Sequence, residues 1–152
     1  MPREIILREQ SSRILQPTSP FDFDGTVFRP DHFPSQDMSW KPGVYWQTMR
    51  WRHENFGIRF QKMGSNSRPK VRATVFARKE LSNSALEEIV EELQWRFDLN
   101  STGIPRFVRR FSGDRYLGPA IRRRFGMRLK SGYSLYEYLV ITVMLQNTMV
   151  RR

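Results

Sequence analysis

The sequence contains no cysteine and only two histidines, His32 and His53, which lie far apart along the chain. The absence of cysteine excludes disulfides, cysteine-ligated zinc, iron–sulfur clusters and thiol catalysis. Two distant histidines are poor material for a metal site or for a serine–histidine–aspartate triad. Neither a metal ion nor an organic cofactor is therefore expected.

Long apolar segments are also missing. No apolar run reaches the length of about 20 residues that a membrane-spanning helix needs. The first four residues, Met-Pro-Arg-Glu, do not begin the apolar core of a signal peptide. We therefore expect an intracellular, cytoplasmic protein that has no membrane partner.

Basic charge is present in excess, and it is unevenly distributed. The chain has 26 Lys and Arg against 15 Asp and Glu, a net charge of +11. Residues 103–152 carry 11 cations and 2 carboxylates (net +9), whereas residues 1–102 carry 15 and 13 (net +2). Arginine supplies 21 of the 26 cations, and its guanidinium suits phosphate oxygens. This asymmetry favours a nucleic-acid partner, with acidic lipid or simple solubility as alternatives.

The first half of the chain predicts an antiparallel sheet. Five segments have the composition or the two-residue period of strands: residues 3–8, 21–28, Val44–Trp51, Ile58–Met63 and Val71–Ala77. A turn is predicted at residues 55–57, and residues 29–41 are predicted to form a loop. Because the strands are close together with turn signals between them, we expect four or five antiparallel strands.

The period then changes to that of a helix. An apolar stripe predicts an amphipathic helix over residues 84–97; it consists of Leu86, Ile89, Val90, Leu93 and Phe97. Ser84 and Glu87 have the spacing of a capping box at its start. Two short helices are predicted next, over residues 104–111 with Thr102 as a cap and over 114–125 between Asp114 and Gly126. The sheet is expected to pack on the first of these helices.

The last predicted helix covers residues 135–150 and follows a second capping box, Ser134 and Glu137. It is apolar nearly all round, which is typical of a helix buried in a larger core. Because such a helix stands at the end of the chain, we expect the sequence to be incomplete.

The end of this helix carries an unusual polar group of residues, Gln146-Asn147-Thr148-Met149-Val150-Arg151-Arg152. Amide side chains can enter a base stack and hydrogen-bond to base edges, and arginine can pair with a phosphate or a guanine edge. Such a tip suits the gap that is left when an enzyme flips out a nucleotide. From the chemistry alone, an ordinary polar helix end with arginines matched to the helix dipole is an alternative.

Three stretches resemble the helix-hairpin-helix DNA glycosylase superfamily. Residues 133–148 resemble the helix that opens the glycosylase domain, and Gly126-Met127-Arg128 resembles a segment between two of its helices. Residues 21–26 and the following strands resemble the N-terminal domain of the 8-oxoguanine and 3-methyladenine glycosylases. The resemblance covers roughly residues 20–152 and is most specific at residues 145–148.

The resemblance implies an α+β architecture in two parts. Residues 1–100 would form the N-terminal glycosylase domain, an antiparallel sheet with flanking helices of the TBP-like type. Residues 101–152 would form the first helices of an all-α catalytic domain, truncated at the end of the sequence. The protein would be a monomer when full length and would be associated with the nucleoid.

The resemblance also implies a function and a set of DNA-binding residues. The function is the excision of damaged purine bases from double-stranded DNA after base flipping. Gln146 or Asn147 would enter the duplex opposite the flipped base, and Arg151 would contact the orphaned partner base. Thr148 and Arg152 belong to the same DNA-binding set.

No catalytic residue is assigned. Excision needs a carboxylate that activates water or an amine that displaces the base, and the residues given do not match the family's Gly-x-Gly hairpin, its general-base Asp or its nucleophilic Lys. The chain alone is therefore predicted to be inactive in excision. The aspartates of the first half are interpreted as surface and turn residues; they are Asp22, Asp24, Asp31 and Asp37.

Two other functions remain open. A non-catalytic nucleic-acid-binding module would use rings such as Trp46 or Trp51 to stack on bases. Its phosphate contacts would come from Arg106, Arg109, Arg110, Arg122, Arg123 and Arg124. A partner-binding domain would instead dock another protein on its apolar last helix. The partner-binding domain predicts no salt-dependent affinity for DNA, whereas phosphate contacts would give a steep salt dependence.

Overall fold

The computed structural model describes residues 6–28, 37–131 and 135–146. In these ranges the chain has an α+β architecture around a five-stranded antiparallel sheet, which confirms the predicted class. The strands are β1 (Arg8–Leu15), β2 (Met38–Lys41), β3 (Val44–Trp51), β4 (Glu54–Lys62) and β5 (Val71–Ala77). Their order across the sheet is β1-β5-β4-β3-β2.

Helices follow the last strand, with one short exception before β2. The helices in the described ranges are α1 (Phe23–Val27), α2 (Asn83–Arg96), α3 (Gly103–Phe111), α4 (Leu117–Arg123) and α5 (Leu135–Leu145). The predictions of β3, β5 and the long helix α2 are confirmed to within a residue or two. The predicted division at residue 100 stays a prediction.

One face of the sheet packs with α2 to form the core, and we call it the inner sheet face. Its buried apolar side chains and those of α2 alternate or repeat as the sequence predicts; they are Tyr45, Met49, Phe56, Ile58, Phe60, Val71, Ala73, Val75, Leu86, Ile89 and Leu93. Phe97 closes this core with edge-on ring contacts, at 4.6 Å from Phe60 and 5.7 Å from Tyr45 between centroids. Each large apolar side chain buried there contributes about 1.5–3 kcal/mol.

The hairpin between β3 and β4 turns earlier than predicted. Trp51 pairs with Glu54, and the two residues between them, Arg52 and His53, have φ angles of 44° and 67°. Two consecutive positive φ angles match the twist of the flanking strands, and they are normally signalled by Asn-Gly or Asp-Gly. The turn predicted at residues 55–57 is wrong because that segment lies inside β4.

The strand predicted over residues 21–28 is wrong, since this segment contains helix α1. Its buried side chains are Phe23, Thr26 and Val27, and that spacing of i, i+3 and i+4 is helical. The hydroxyl of Thr26 donates to the backbone oxygen of Asp22 at 2.6 Å. In so short a segment the alternation of Phe and Asp fitted a strand as well as a helix.

The predictions for the two edge strands, β1 and β2, are also wrong. The opening strand predicted over residues 3–8 lies partly outside the described residues, and β1 instead runs over Arg8–Leu15 with mostly polar, exposed side chains. Part of the loop predicted over residues 29–41 is the strand β2. Edge strands of this kind are held by backbone pairing, so their side chains carry little hydrophobic signal.

The N-cap of helix α2 lies two residues before the predicted one. Ser82 is the N-cap, and its hydroxyl accepts a hydrogen bond from the backbone N–H of Ala85 at 3.2 Å. Ser84, the predicted cap, lies inside the first turn. Glu87 does not close a capping box; its Oε1 lies 3.9 Å from Nη2 of Arg13 on β1.

Replacing Ser82 with alanine is expected to lower the free energy of unfolding by about 1 kcal/mol, because an N–H of the first turn loses its acceptor. Ser84→Ala is the comparison; it removes only the hydroxyl contact with Ser82 at 3.0 Å and is expected to change stability by less than about 0.5 kcal/mol. Urea unfolding of both variants measures the difference. An equal loss in the two variants would contradict the assignment of the cap to Ser82.

Helix α5 carries exposed apolar side chains in the described chain. The structure describes the helix to Leu145, and the predicted cap Ser134 and residues 147–150 lie outside the described residues. Its apolar side chains include five exposed ones: Tyr136, Leu139, Val140, Val143 and Met144. These side chains are exposed in the described chain, and the expected burial of the helix in a larger core stays a prediction.

Candidate nucleic-acid interface

Residues 126–131 join the segment after α4 to the part of the chain before α3 that holds the sheet, α1 and α2. We call residues 126–131 the anchor segment and the part with the sheet the sheet domain. The backbone N–H of Asp22 donates to the oxygen of Gly126 at 2.8 Å, and the N–H of Ser131 donates to the oxygen of Arg96 at 2.6 Å. The anchor segment is thus bound at both of its ends. It fixes where the preceding helices α3 and α4 join the sheet domain.

Gly126 is at this position because the backbone requires it. Its φ angle is +87°, in the region that glycine adopts without strain. A Cβ atom added there would lie 2.8 Å from the backbone nitrogens of Phe21 and Asp22. The predicted stop signal after α4 is therefore also the point at which the chain contacts the start of α1.

Arg128 is the most deeply buried cation of the anchor segment, at 2 % exposure. Its Nη2 donates to the backbone oxygens of Thr18 at 2.7 Å and Pro20 at 2.9 Å, and to the hydroxyl of Thr18 at 3.1 Å. Its backbone N–H donates to the hydroxyl of Thr26 at 3.0 Å. Burial lowers the pKa of the Arg128 guanidinium, and the charge of Asp98 acts in the opposite direction.

Lys130 is the second buried cation of the anchor segment. Its Nζ donates to the backbone oxygen of Val27 at 3.1 Å and to the hydroxyl of Tyr45 at 3.2 Å. The same Nζ lies 4.5 Å from the centroid of the Tyr45 ring, a cation–π distance. Two of the cations that the sequence counted as basic surface are therefore structural.

The remaining cations of residues 101–131 form a basic surface, which we call the arginine surface. All seven are exposed: Arg106, Arg109, Arg110, Arg115, Arg122, Arg123 and Arg124. None of them forms an ion pair with another described residue. Asp114 is the one carboxylate of residues 101–131, so the positive charge is almost uncompensated.

Asp114 itself has a local role at the start of α4. Its Oδ1 accepts hydrogen bonds from the backbone N–H groups of Leu117 and Tyr116, each at 2.8 Å. Both bonds lower the pKa of the exposed Asp114 carboxyl group, and the bond from Leu117 has the larger effect. The carboxylate is therefore used to cap the helix, as the sequence predicted, and the helix begins three residues later than predicted, at Leu117.

Aromatic rings are interleaved with the arginines. Phe107, Tyr116 and Phe125 are all exposed, Tyr116 to 80 %. The guanidinium carbon of Arg115 lies 5.7 Å from the centroid of the Tyr116 ring. Exposed arginines that alternate with aromatic rings are typical of surfaces that bind nucleic acid, where arginines contact phosphates and rings contact bases or sugars.

Of the predicted DNA-binding residues, the structure describes one. Gln146 is exposed, and its backbone N–H donates to the oxygen of Thr142 at 3.1 Å, in continuation of α5. Asn147, Thr148, Arg151 and Arg152 lie outside the described residues. The structure therefore places Gln146 at a solvent-accessible helix end and leaves the grouping of the five residues as a prediction.

The described residues offer neither a cluster for a metal ion nor a helix that could span a membrane. Within residues 6–28, 37–131 and 135–146, no three His, Asp or Glu side chains come together in a way that could hold a metal ion. In the same ranges no helix combines the length and the apolar character needed to cross a membrane.

The buried role of Arg128 and Lys130 is what sequence reasoning missed. Lysine and arginine are almost never fully buried unless they are paired, and their partners here are backbone oxygens and hydroxyl groups of residues about 100 positions away. The one available signal was the Gly126-Met127-Arg128 stretch. This stretch resembles a segment of the glycosylase domain, and the resemblance carries no information on burial.

No protein-family model, no curated protein and no solved structure matches this chain. The resemblance to the helix-hairpin-helix glycosylases therefore stays a prediction made from the residues. Function has to be inferred from the chemistry of the surface.

Proposed function

We propose that this chain is the DNA-recognition part of a base-excision glycosylase, which binds double-stranded DNA and flips out a damaged purine. The observation that carries the proposal is the arginine surface, seven exposed guanidinium groups without an ion pair among the described residues. Duplex DNA presents one negative charge per about 1.7 Å of its axis, and each phosphate contact releases condensed counterions. Exposed and unpaired arginines can make such contacts without first breaking an ion pair of their own.

The exposed amide of Gln146 supports the base-flipping part of the proposal. It follows directly on the apolar helix α5, a stiff element that can hold a side chain at a fixed depth. A glutamine amide offers both donors and acceptors, so it can satisfy the edge of a base whose partner has left the stack. The bond-breaking step needs other groups, and we assign no catalytic residue and expect no excision by this chain alone.

The proposal predicts that the chain binds a duplex with an abasic-site analogue more tightly than the intact duplex, because the amide fills the gap. Gln146→Ala is expected to remove this preference, a loss of about five- to tenfold, or roughly 1 kcal/mol, with little effect on the intact duplex. Gln16→Ala, which removes another exposed glutamine, is the matched control. Fluorescence anisotropy with labelled duplexes measures all three proteins.

A second candidate function is a self-standing basic module that binds nucleic acid without recognising lesions. It is favoured by the anchor segment, which already fastens the residues after the arginine surface to the sheet domain. This module predicts equal affinity for the two duplexes and no effect of Gln146→Ala. If the wild-type chain bound neither duplex, duplex binding would be excluded for both candidates.

A further inference from the structure

The sheet has a second face, directed away from α2, which we call the outer sheet face. On this face Trp46 of β3 is opposite Arg59 of β4, and Phe76 of β5 is opposite Gly57 of β4. Trp46, Arg59 and Phe76 are half-buried, whereas their neighbours along each strand are directed into the core. Two aromatic rings and a guanidinium group therefore stand on a face where polar, solvated side chains are usual.

An open groove lies between the two rings. It has a volume of about 340 Å³ and is lined by Trp46, Phe76, Thr48, Gly57 and Leu7, among others. A Cβ atom at Gly57 would lie 3.2 Å from Cδ1 of Leu7 and 3.6 Å from Cβ of Phe76. A larger residue at this position would therefore fill part of the groove. Glycine inside a strand often marks a site where a ligand approaches closely.

Positive charge surrounds this groove. Nζ of Lys41 lies 5.2 Å from the centroid of the Trp46 ring, and the guanidinium carbon of Arg59 lies 5.6 Å from that of Phe76. By register, Arg50 and Arg72 belong to the same face. Among the described residues, the carboxylates on this face or in the groove lining are those of Glu9, opposite Phe76, and Asp37. Four cations against two carboxylates favour an anionic ligand.

Arg59 adds an unsatisfied hydrogen-bond donor to this face. Its Nε is buried and has no hydrogen-bond partner among the described residues. An unsatisfied buried donor is destabilising, and a ligand oxygen that reached it would remove this cost. A phosphate or a base carbonyl is an acceptor of the right kind.

We propose that the outer sheet face binds single-stranded nucleic acid, with one base stacked on Trp46 in the groove and the adjoining phosphates held by Arg59, Arg72 and Lys41. The two rings favour an unpaired strand, because bases in an intact duplex are stacked on each other and cannot offer a free face. They also favour a nucleotide over an acidic peptide, since a base is a flat π-system and a carboxylate is not. This site is separate from the arginine surface and goes beyond the duplex binding proposed above.

The test is the affinity of the whole chain for a labelled deoxythymidine oligonucleotide. Trp46→Leu is expected to weaken binding by about five- to 100-fold, because one base–ring stack is lost, whereas Trp46→Phe keeps a ring and should retain most of the affinity. Trp95→Leu is the matched control, since Trp95 is 66 % exposed on α2, on the other side of the sheet. An oligouridine of the same length distinguishes DNA from RNA as the natural strand, and binding of either one supports the site.

A second measurement is made on the wild-type chain itself. The indole N–H resonance of Trp46, identified by its absence from Trp46→Phe, should shift when the oligonucleotide is added to the wild-type chain, and that of Trp95 should not. Equal affinities of Trp46→Leu and Trp95→Leu, displacement of the oligonucleotide by polyglutamate at equal charge concentration, or no shift of Trp46 would each overturn the proposal. Loss of duplex binding alone, with the oligonucleotide still bound, would contradict the proposed function and leave this site standing.

Discussion

We expect Arg128→Ala to lower the free energy of unfolding by about 3 kcal/mol, a large effect for the loss of one arginine side chain. The guanidinium group makes three hydrogen bonds, two of them to the backbone oxygens of Thr18 and Pro20. Removal of the side chain leaves these oxygens without a donor and opens a cavity at a site that is 2 % exposed. Hydrogen bonds to a charged donor contribute about 1.5–3 kcal/mol each, but all three here come from Nη2. The burial of the charge, and of Nε and Nη1 without partners among the described residues, offsets part of the sum.

Thermal and urea unfolding measure this effect. For a chain of this size the expected loss corresponds to a fall in Tm of roughly 6–12 °C. Arg106→Ala is the matched control, because Arg106 is exposed and has no ion pair with a described residue, and it should change Tm by no more than about 2 °C. Arg128→Lys should lie between the two, since an ammonium group cannot reach all three acceptors. If Arg128→Ala were as stable as Arg106→Ala, the anchor segment would not hold the helices to the sheet domain.

The elements that the sequence predicted well are those whose burial is periodic. Strands β3 and β5 alternate between core and surface, and α2 has one apolar stripe, because each presents a single face to the same core. The elements that it misplaced lack such a pattern. The side chains of β1 are mostly polar because the strand is held by pairing with β5, and α1 is too short for its period to be read.

The turn at Arg52 and His53 illustrates a different limit. Its two positive φ angles are set by the register of β3 and β4 and by the twist of the hairpin, and the residue types carry no mark of it. By contrast, Asn55-Phe56-Gly57 had the composition of a turn and forms a strand. Gly57 is used there for the space that it leaves beside Leu7 and Phe76.

The candidate site also has one part that could be predicted from the sequence and one part that could not. The basic segment could be predicted from composition, because charge density is a property of the sequence. Which cations are available could not be predicted, because Arg128 and Lys130 are removed from the surface by backbone oxygens far away in the chain. The groove beside Trp46 was missed for a related reason: it arises only when three strands place Trp46, Gly57 and Phe76 side by side.

Simultaneous replacement of Arg122, Arg123 and Arg124 by glutamine is expected to weaken binding to duplex DNA on the order of 100-fold at 0.1 M salt. If each arginine neutralises one phosphate, the slope of log K against log salt becomes shallower by about 2.7, since each contact contributes about 0.9. The difference in log K therefore grows as the salt concentration falls. Anisotropy titrations at four salt concentrations between about 0.05 and 0.4 M give both quantities.

The matched control removes the same charge elsewhere. Arg8, Arg68 and Arg78 are also exposed and have no ion pair with a described residue, so their replacement by glutamine lowers the net charge equally. A general attraction between a basic protein and a polyanion would weaken to the same extent in both triple variants. A loss confined to Arg122, Arg123 and Arg124 requires direct phosphate contacts at the end of α4, because only contacts at a defined site release a fixed number of counterions.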